Sequence, residues 1–424
     1  MSVGFFIACL CIGMPIAFVL GLTALFMASV LGLDILVGFP QRMFVGVNKS
    51  VLMAIPFFLL AGSLMNDGGI TRRLLKFAQN IVGWVHGGLA ISNVLASMIF
   101  AGISGSAQAD AAALGKIMIP AMVDEGYDIN YACGVVASAA VIGPIIPPSI
   151  IMVILAVAGD ISIGALFLGG VIPGILIGLT LMALAYVMAR KRGYPRGPRP
   201  SARELLRSTM DAIPALIMPL IIVGGILSGI FTPTESAAIA VAYSLVVGLF
   251  LYKEIRLRDL PRILLETAVV NCAIMFVFST AYLLSWVITF ADVPSMLGEQ
   301  ISALGTTPAT FLLLVNLLLL FVGMWMDPGA AVVVLVPILL PIAMALGIDP
   351  VHFGLVVCIN LVIGMITPPV GYVLYTVAPI VRVSIEQISR GVLPFLAAEI
   401  AVLFFVTYVP WTTLALPRMF GYIR

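Results

Sequence analysis

The sequence predicts an all-α polytopic membrane protein built as an inverted repeat, with two re-entrant helical hairpins and two broken helices. Three observations carry that expectation. The 424 residues are 62% hydrophobic and 9% charged, with a mean hydropathy of +1.21, whereas soluble domains are about a quarter charged. Apolar runs near the roughly 20 residues that cross a hydrocarbon core recur along the chain. Glycines and prolines also repeat at a fixed offset of 221 residues. So much apolar surface belongs in a lipid bilayer and excludes a soluble enzyme. A net charge of +2 gives no field that would draw nucleic acid.

In chain order, crossings are expected over 3–33, 50–66, 127–158, 163–189, 211–231, 234–252, 263–290, 350–381 and 391–413. The first is overlong and interrupted at Gly13-Met14-Pro15, as one kinked helix or two half-spans. It lacks the basic front and short core of a signal peptide, so it reads as a retained span. Residues 86–121 and 308–346 are each split near the middle by a polar or glycine-containing tip, which suits re-entrant hairpins. Residues 70–84 put Ile70, Leu74, Phe77, Ala78 and Ile81 on one helical face, with Arg72, Arg73, Lys76, Gln79 and Asn80 towards the other. That pattern describes an arm lying in the membrane interface. Cys9, Cys11, Cys133, Cys272 and Cys358 sit in apolar runs without CxxC spacing and read as buried free thiols, not as ligands of a transition metal.

Charge placement orients the chain. Seven basic residues and one acid lie between Arg190 and Arg207, and four more basic residues between Lys253 and Arg262. Two crossings separate these loops, so the positive-inside rule makes both cytoplasmic. Counting outwards puts the N-terminus in the cytoplasm and the C-terminus outside, provided both split segments are re-entrant. The resulting units are scaffold spans and arm over 1–85, a first transport repeat over 86–189 and a cytoplasmic basic loop over 190–210. Further scaffold spans follow over 211–305, then a second transport repeat over 306–413 and a tail over 414–424.

The repeat aligns Gly102 with Gly323, Pro120 with Pro341, and Gly126 and Asp128 with Gly347 and Asp349. It continues through Gly143 with Gly364, Pro147-Pro148 with Pro368-Pro369, and Gly170 and Pro173 with Gly391 and Pro394. The charge-derived topology gives the two units opposite orientations. Inverted repeats with interrupted helices at matching positions point to a secondary transporter whose site lies near the midplane. Proline removes an N–H and frees carbonyls, and glycine permits sharp turns. Freed carbonyls and hydroxyls suit a hard cation such as Na⁺, while half-helix N-termini suit a carboxylate.

The motifs GISGSAQADAAALG, GPIIPPSI, FTPTES and ITPPVGYVLY, in that order along the chain, resemble the large membrane subunit of tripartite ATP-independent periplasmic (TRAP) transporters. The resemblance covers essentially the whole chain. It implies an elevator-type, Na⁺-coupled importer of organic acids in a bacterial inner membrane, working with a small four-helix membrane subunit and a periplasmic substrate-binding protein. No organic cofactor is implied.

Candidate roles follow from the tips and breaks. Ser104 and Ser106 with Gly143 and Pro147 form one candidate Na⁺ site, and Asp327 with Gly364, Thr367 and Pro368 the symmetry-related one. Asp327 is equally placed to cap a helix. Gln108, Asp110, Ser149 and Trp325 are candidate substrate contacts, although Asp110 is also spaced to pair with Lys116. Glu235, in Thr232-Pro-Thr-Glu235, reads as an N-terminal helix charge or subunit contact, and His86 and His352 as interfacial residues. The tip sequence SGSAQAD favours a sugar acid or sialic acid over a C4-dicarboxylate. Two other functions remain. A stand-alone Na⁺/dicarboxylate carrier would show Ser-Asn-Thr motifs at its tips, which this chain lacks. A rhomboid-like serine protease would share the Gly102-Ile-Ser-Gly105 signature but needs a nearby histidine.

Overall fold

The computed structural model describes residues 2–33, 35–296, 298 and 307–423. Among the described residues the secondary structure is helical, apart from one β-bridge between His86 and Arg196. Among the described residues, seven helices are long and apolar enough to cross a membrane, including Ile163–Arg192, Ala202–Leu227, Leu257–Phe290 and Ile385–Tyr408. The peripheral ones present apolar side chains outwards, as with Leu220 and Leu265, which are 71% and 66% exposed. Such a surface is stable against hydrocarbon and not against water.

The two repeats are visible as five helices each. They begin at residues 88, 107, 129, 150 and 163 and again at 308, 328, 350, 372 and 385, within one residue of the offset read from the sequence. In each repeat the first two helices form a hairpin, and the next two are halves of one helix interrupted by irregular chain at 141–149 or 365–371. Capping repeats too: Asp128 accepts from Tyr131 N at 3.0 Å, and Asp349 from His352 N at 3.3 Å.

The repeats interlock reciprocally. The second hairpin helix of repeat one, Ala107–Asp124, packs on the half-helix Tyr372–Val381 of repeat two, and Pro328–Ala345 packs on Ile150–Gly159. Likewise, Gly134 meets the backbone of Gly391, while its equivalent Leu355 fits against Gly169, one residue from the equivalent of Gly391. Contacts in which i meets j and the equivalent of j meets the equivalent of i are those of a twofold relation. The broken helices form the centre of this assembly: Tyr131–Ala140 and Val351–Gly364 are buried throughout.

Several boundaries differ from those expected. The opening segment is two helices, Ser2–Cys11 and Ile16–Val30, turned at Gly13 (φ 80°) and stacked through Phe5 and Phe26. A helix at Ile35–Val47 went unforeseen because Pro40, Gln41 and Arg42 dilute its apolar run. It is held by packing: Phe39 meets Trp286 edge-on, and Ser279 donates to the Met43 carbonyl at 2.9 Å. The basic loop is shorter than 190–210, because a reciprocal Ser201–Glu204 capping box starts the next helix at Ala202. The last span ends at Tyr408, and Trp411–Met419 folds back onto Ile163–Arg192. Tyr422 closes that tail by donating to the Ile226 carbonyl at 3.3 Å. The arm is Ile70–Val82, burying Ile70, Thr71, Leu74, Leu75 and Ala78, whereas Ile81 faces outwards. Cys9, Cys133 and Cys358 are buried free thiols and Cys272 is exposed on a peripheral helix. The Cys11 side chain and the boundary at 305/306 lie outside the described residues.

Candidate functional site

The first tip is a sharp turn between two hairpin helices. Gly88–Ser104 ends at Gly105, whose φ of 60° is left-handed, and Ser106 caps Ala107–Asp124 by accepting from Ala109 N at 3.4 Å. The Ser104 hydroxyl donates to Asp110 Oδ1 and accepts from Ser106 N at 3.3 Å. Asp110 is wholly buried, and its Oδ2 has no hydrogen-bond partner among the described residues. That oxygen faces the first helix break, because a Cβ placed on Gly143 would collide with it. Gly105 seats the tip on the break, where a Cβ would lie 2.7 Å from the Pro148 carbonyl. Ser149 caps the half-helix Ile150–Gly159 and donates to the Pro144 carbonyl at 2.5 Å.

The structure therefore brings Ser104, Ser106, Gly143 and Pro147 to one place, and shows what holds two of the candidate substrate contacts. Asp110 joins Ser104 beside the break; it pairs with that hydroxyl and not with Lys116. The Ser149 hydroxyl is engaged within the break itself. Gln108 remains half-buried on the tip.

The second tip repeats this plan with different donors. Asp327 caps Pro328–Ala345, accepting from Gly329 N at 2.9 Å and Ala330 N at 3.3 Å. Its contact with Ala330 is the Ser106–Ala109 contact at the same offset of 221. Gly323 and Gly364 touch backbone to backbone: a Cβ on Gly364 would lie 2.6 Å from Gly323 Cα. The Thr367 hydroxyl donates to the Ile363 carbonyl at 3.0 Å, next to Pro368 in the break. Tyr372 ties break to tip by donating to the Trp325 carbonyl at 3.1 Å, while the Trp325 ring is 49% exposed. The second tip rests on the first broken helix, since a Cβ on Gly329 would lie 3.2 Å from Ile154.

Chemically, the first centre offers a carboxylate oxygen and a hydroxyl beside interrupted backbone, all hard oxygen donors. A buried carboxylate left without a counter-charge costs several kcal/mol. A cation between Asp110 Oδ2 and the Gly143 break would supply that charge. Neither histidine completes a protease dyad with Ser104. The Nδ1 of His86 lies 3.3 Å from the Tyr194 carbonyl. His352 is buried and bridges helices through Thr413 Oγ1 at 2.8 Å and the Thr407 carbonyl at 3.1 Å. Glu235 and Thr232 form a reciprocal capping box, the role expected of a helix N-terminal charge.

Glu399 was missed. It is fully buried on Ile385–Tyr408, and neither carboxyl oxygen has a partner among the described residues. An acid inside an apolar span was the available signal. Asn360 by contrast is hydrogen-bonded through its amide nitrogen, donating to Asn316 Oδ1 at 2.8 Å, and Asn316 donates to Thr407 Oγ1 at 3.0 Å, although Asn360 Oδ1 has no partner among the described residues. Glu399→Met should therefore leave the thermal unfolding temperature unchanged or raised. Asn360→Ala should lower stability by about 1–3 kcal/mol, because it strands buried polar atoms. A larger drop for Glu399→Met than for Asn360→Ala would show that this carboxyl is bonded.

The family model of the DctM component of tripartite ATP-independent periplasmic transporters matches residues 3–412. A C4-dicarboxylate TRAP transporter large permease protein of Pseudomonas aeruginosa is 44% identical over 90% of this chain and 89% of its own. The sialic acid TRAP transporter large permease protein of Vibrio cholerae is 41% identical over 97% and 96%. An isethionate TRAP transporter permease of Oleidesulfovibrio alaskensis is 40% identical over 99% of this chain and 65% of its own. Among solved structures, the YdaH transporter of Alcanivorax borkumensis superposes with a TM-score of 0.65 at 14% identity, covering 95% of this chain and 98% of that one. That likeness concerns the fold.

Proposed function

The chain belongs to the DctM-component family of tripartite ATP-independent periplasmic transporters, and from that premise we propose that it imports an organic acid coupled to Na⁺. The observation that carries this reading is the buried Asp110 carboxyl, bonded by Ser104 on one oxygen and open towards the Gly143 break on the other. Na⁺ sits there, held also by carbonyls of the 143–148 segment. A second Na⁺ sits between Asp327 and the Gly364–Pro368 break. The substrates in the relatives' names are C4-dicarboxylate, sialic acid and isethionate, and all three are organic anions. The anion binds between the tips, near Gln108 and Trp325, and the SGSAQAD tip favours a sugar acid or sialic acid. Half-helix N-termini that begin at Ile150 and Tyr372 point their positive ends into this region.

In this reading a periplasmic binding protein delivers the substrate and a small membrane subunit packs on the exposed apolar scaffold. The complex lies in the bacterial inner membrane, with the basic segments 190–207 and 253–262 in the cytoplasm. Na⁺ orders the tips around the substrate, and the two interlocked repeats move as a body against the scaffold. The test is uptake of labelled succinate or N-acetylneuraminate into proteoliposomes containing the large and small subunits, with the binding protein outside. Uptake is expected only with an inward Na⁺ gradient and all three components. Uptake that ignores Na⁺ would overturn the coupling. Uptake that needs neither partner would identify a stand-alone carrier instead.

A further inference from the structure

A cavity of about 480 Å³ opens beside the first tip, walled by the scaffold helix Ala54–Asp67, the arm and the hairpin helix Ala107–Asp124. Ser104 and Ser106 of the tip lie on its lining with Ser63 and Asn66 of the scaffold, and Gly62 packs against the Ser104 backbone. Four charged residues, Asp67, Arg72, Lys116 and Glu254, also line it. Their pairing is uneven. Asp67 is bridged by Arg262 at 2.8 Å and Glu254 by Arg73 at 2.7 Å, and neither arginine lines the cavity. Arg72 and Lys116 form no ion pair among the described residues, and both are exposed. Each acid of the wall is thus bridged by an arginine outside it, Arg262 being shared with Glu266, while its two cations have no such partner among the described residues.

We propose that Arg72 and Lys116 form an anion-receiving station, which takes the carboxylate of the substrate as it leaves the Ser104–Ser106 tip. This inference rests on the reading that an organic anion is carried at that tip. The tip itself has no basic side chain, so departure from it needs a favourable charge along the route. An arginine fork and a lysine point charge are the usual partners of a carboxylate. A cleft lined by one sign of uncompensated charge concentrates the opposite ion. One cation comes from the arm and the other from the hairpin, so motion between these parts alters how both hold the anion. Charge on this face then sets the rate of release, not the affinity for the loaded binding protein.

The experiment compares the wild type with Arg72→Gln/Lys116→Gln in reconstituted complexes of large and small subunit with binding protein. The double variant should lower kcat for uptake about tenfold, with KM for the loaded binding protein and the Na⁺ half-saturation unchanged. Arg72→Lys and Lys116→Arg should restore most of the rate. Unchanged kcat in the double variant would overturn the proposal, as would an equal loss in the charge-conserving variants. A second readout does not depend on transport. Succinate or N-acetylneuraminate, against NaCl at matched ionic strength, should raise the unfolding temperature of the purified wild-type complex by about 2–4 °C and leave the double variant unmoved. Should wild-type uptake prove independent of Na⁺, the coupling reading would fall while this thermal shift still decides the station. Equal shifts in both proteins, or none in either, would reject it.

Discussion

Asp110→Asn should abolish Na⁺-driven uptake while leaving the protein folded and inserted. Asparagine keeps an oxygen to accept from Ser104, so the tip retains its shape. The amide, however, turns one set of lone pairs into N–H donors. If the amide group faces the Gly143 break, donors stand where a cation needs an oxygen. Removing one partner of a buried charge pair costs about 3–5 kcal/mol, which corresponds to roughly a hundred-fold or greater loss of affinity. Na⁺ half-saturation should therefore leave the accessible range. Ser104→Ala removes a neutral hydroxyl that bonds a charged group and should raise the half-saturation about tenfold. A Na⁺ titration of uptake checks both, and an unchanged half-saturation in Asp110→Asn would remove this carboxyl from the ion site. At the second tip the same logic separates capping from ion binding. Asp327→Asn preserves a good N-cap and deletes the charge, whereas Asp327→Ala deletes both. A residue that only caps would tolerate the asparagine.

What the sequence displayed and what it concealed divide along physical lines. Glycine and proline act through the local backbone, so a pattern of them exposes breaks and turns without knowledge of the partner. The tips, the interruptions and the register of the two repeats were all legible this way. Side-chain engagement was less so. Asp110 follows Ser104 by six residues, but the turn at Gly105 is what folds it back onto that hydroxyl. The partners of His352 are Thr407 and Thr413, 55 and 61 residues further along the chain, and such burial leaves no local signature, whereas Glu399 had one as an acid within an apolar span. The helix at Ile35–Val47 was hidden for a related reason: its stability comes from Trp286 and Ser279, about 240 residues away along the chain. Pro40, Gln41 and Arg42 interrupt a 13-residue segment that is otherwise apolar, so its run falls short of a span.

Gly143 and Gly364 are equivalent in the repeat, yet substitutions there should fail in different ways. At Gly364 the atoms in the path of a new Cβ are the Gly323 Cα and carbonyl carbon, both at 2.6 Å. Backbone cannot rotate aside, so Gly364→Ala must push the second tip off its break. Overpacking of this kind costs about 1–3 kcal/mol, and the displaced Asp327 would lose the geometry of a candidate ion site. The expected outcome is a lowered unfolding temperature together with lost uptake. At Gly143 the obstacle is the Asp110 carboxylate, a side chain that can swing away. Gly143→Ala should accordingly leave the unfolding temperature near wild type but impair Na⁺ dependence, because the carboxyl is driven from the break. Gly224 supplies the control: nothing lies within 4 Å of its Cβ position, and alanine in a helix interior should stabilise by about 0.5–1 kcal/mol. Thermal unfolding and Na⁺ titration of the three variants separate these cases. If Gly143→Ala lowers the unfolding temperature as much as Gly364→Ala does, then Asp110 is fixed in place by more than Ser104. The open oxygen would then have a partner that the arrangement of Ser104, Gly143 and the tip does not supply.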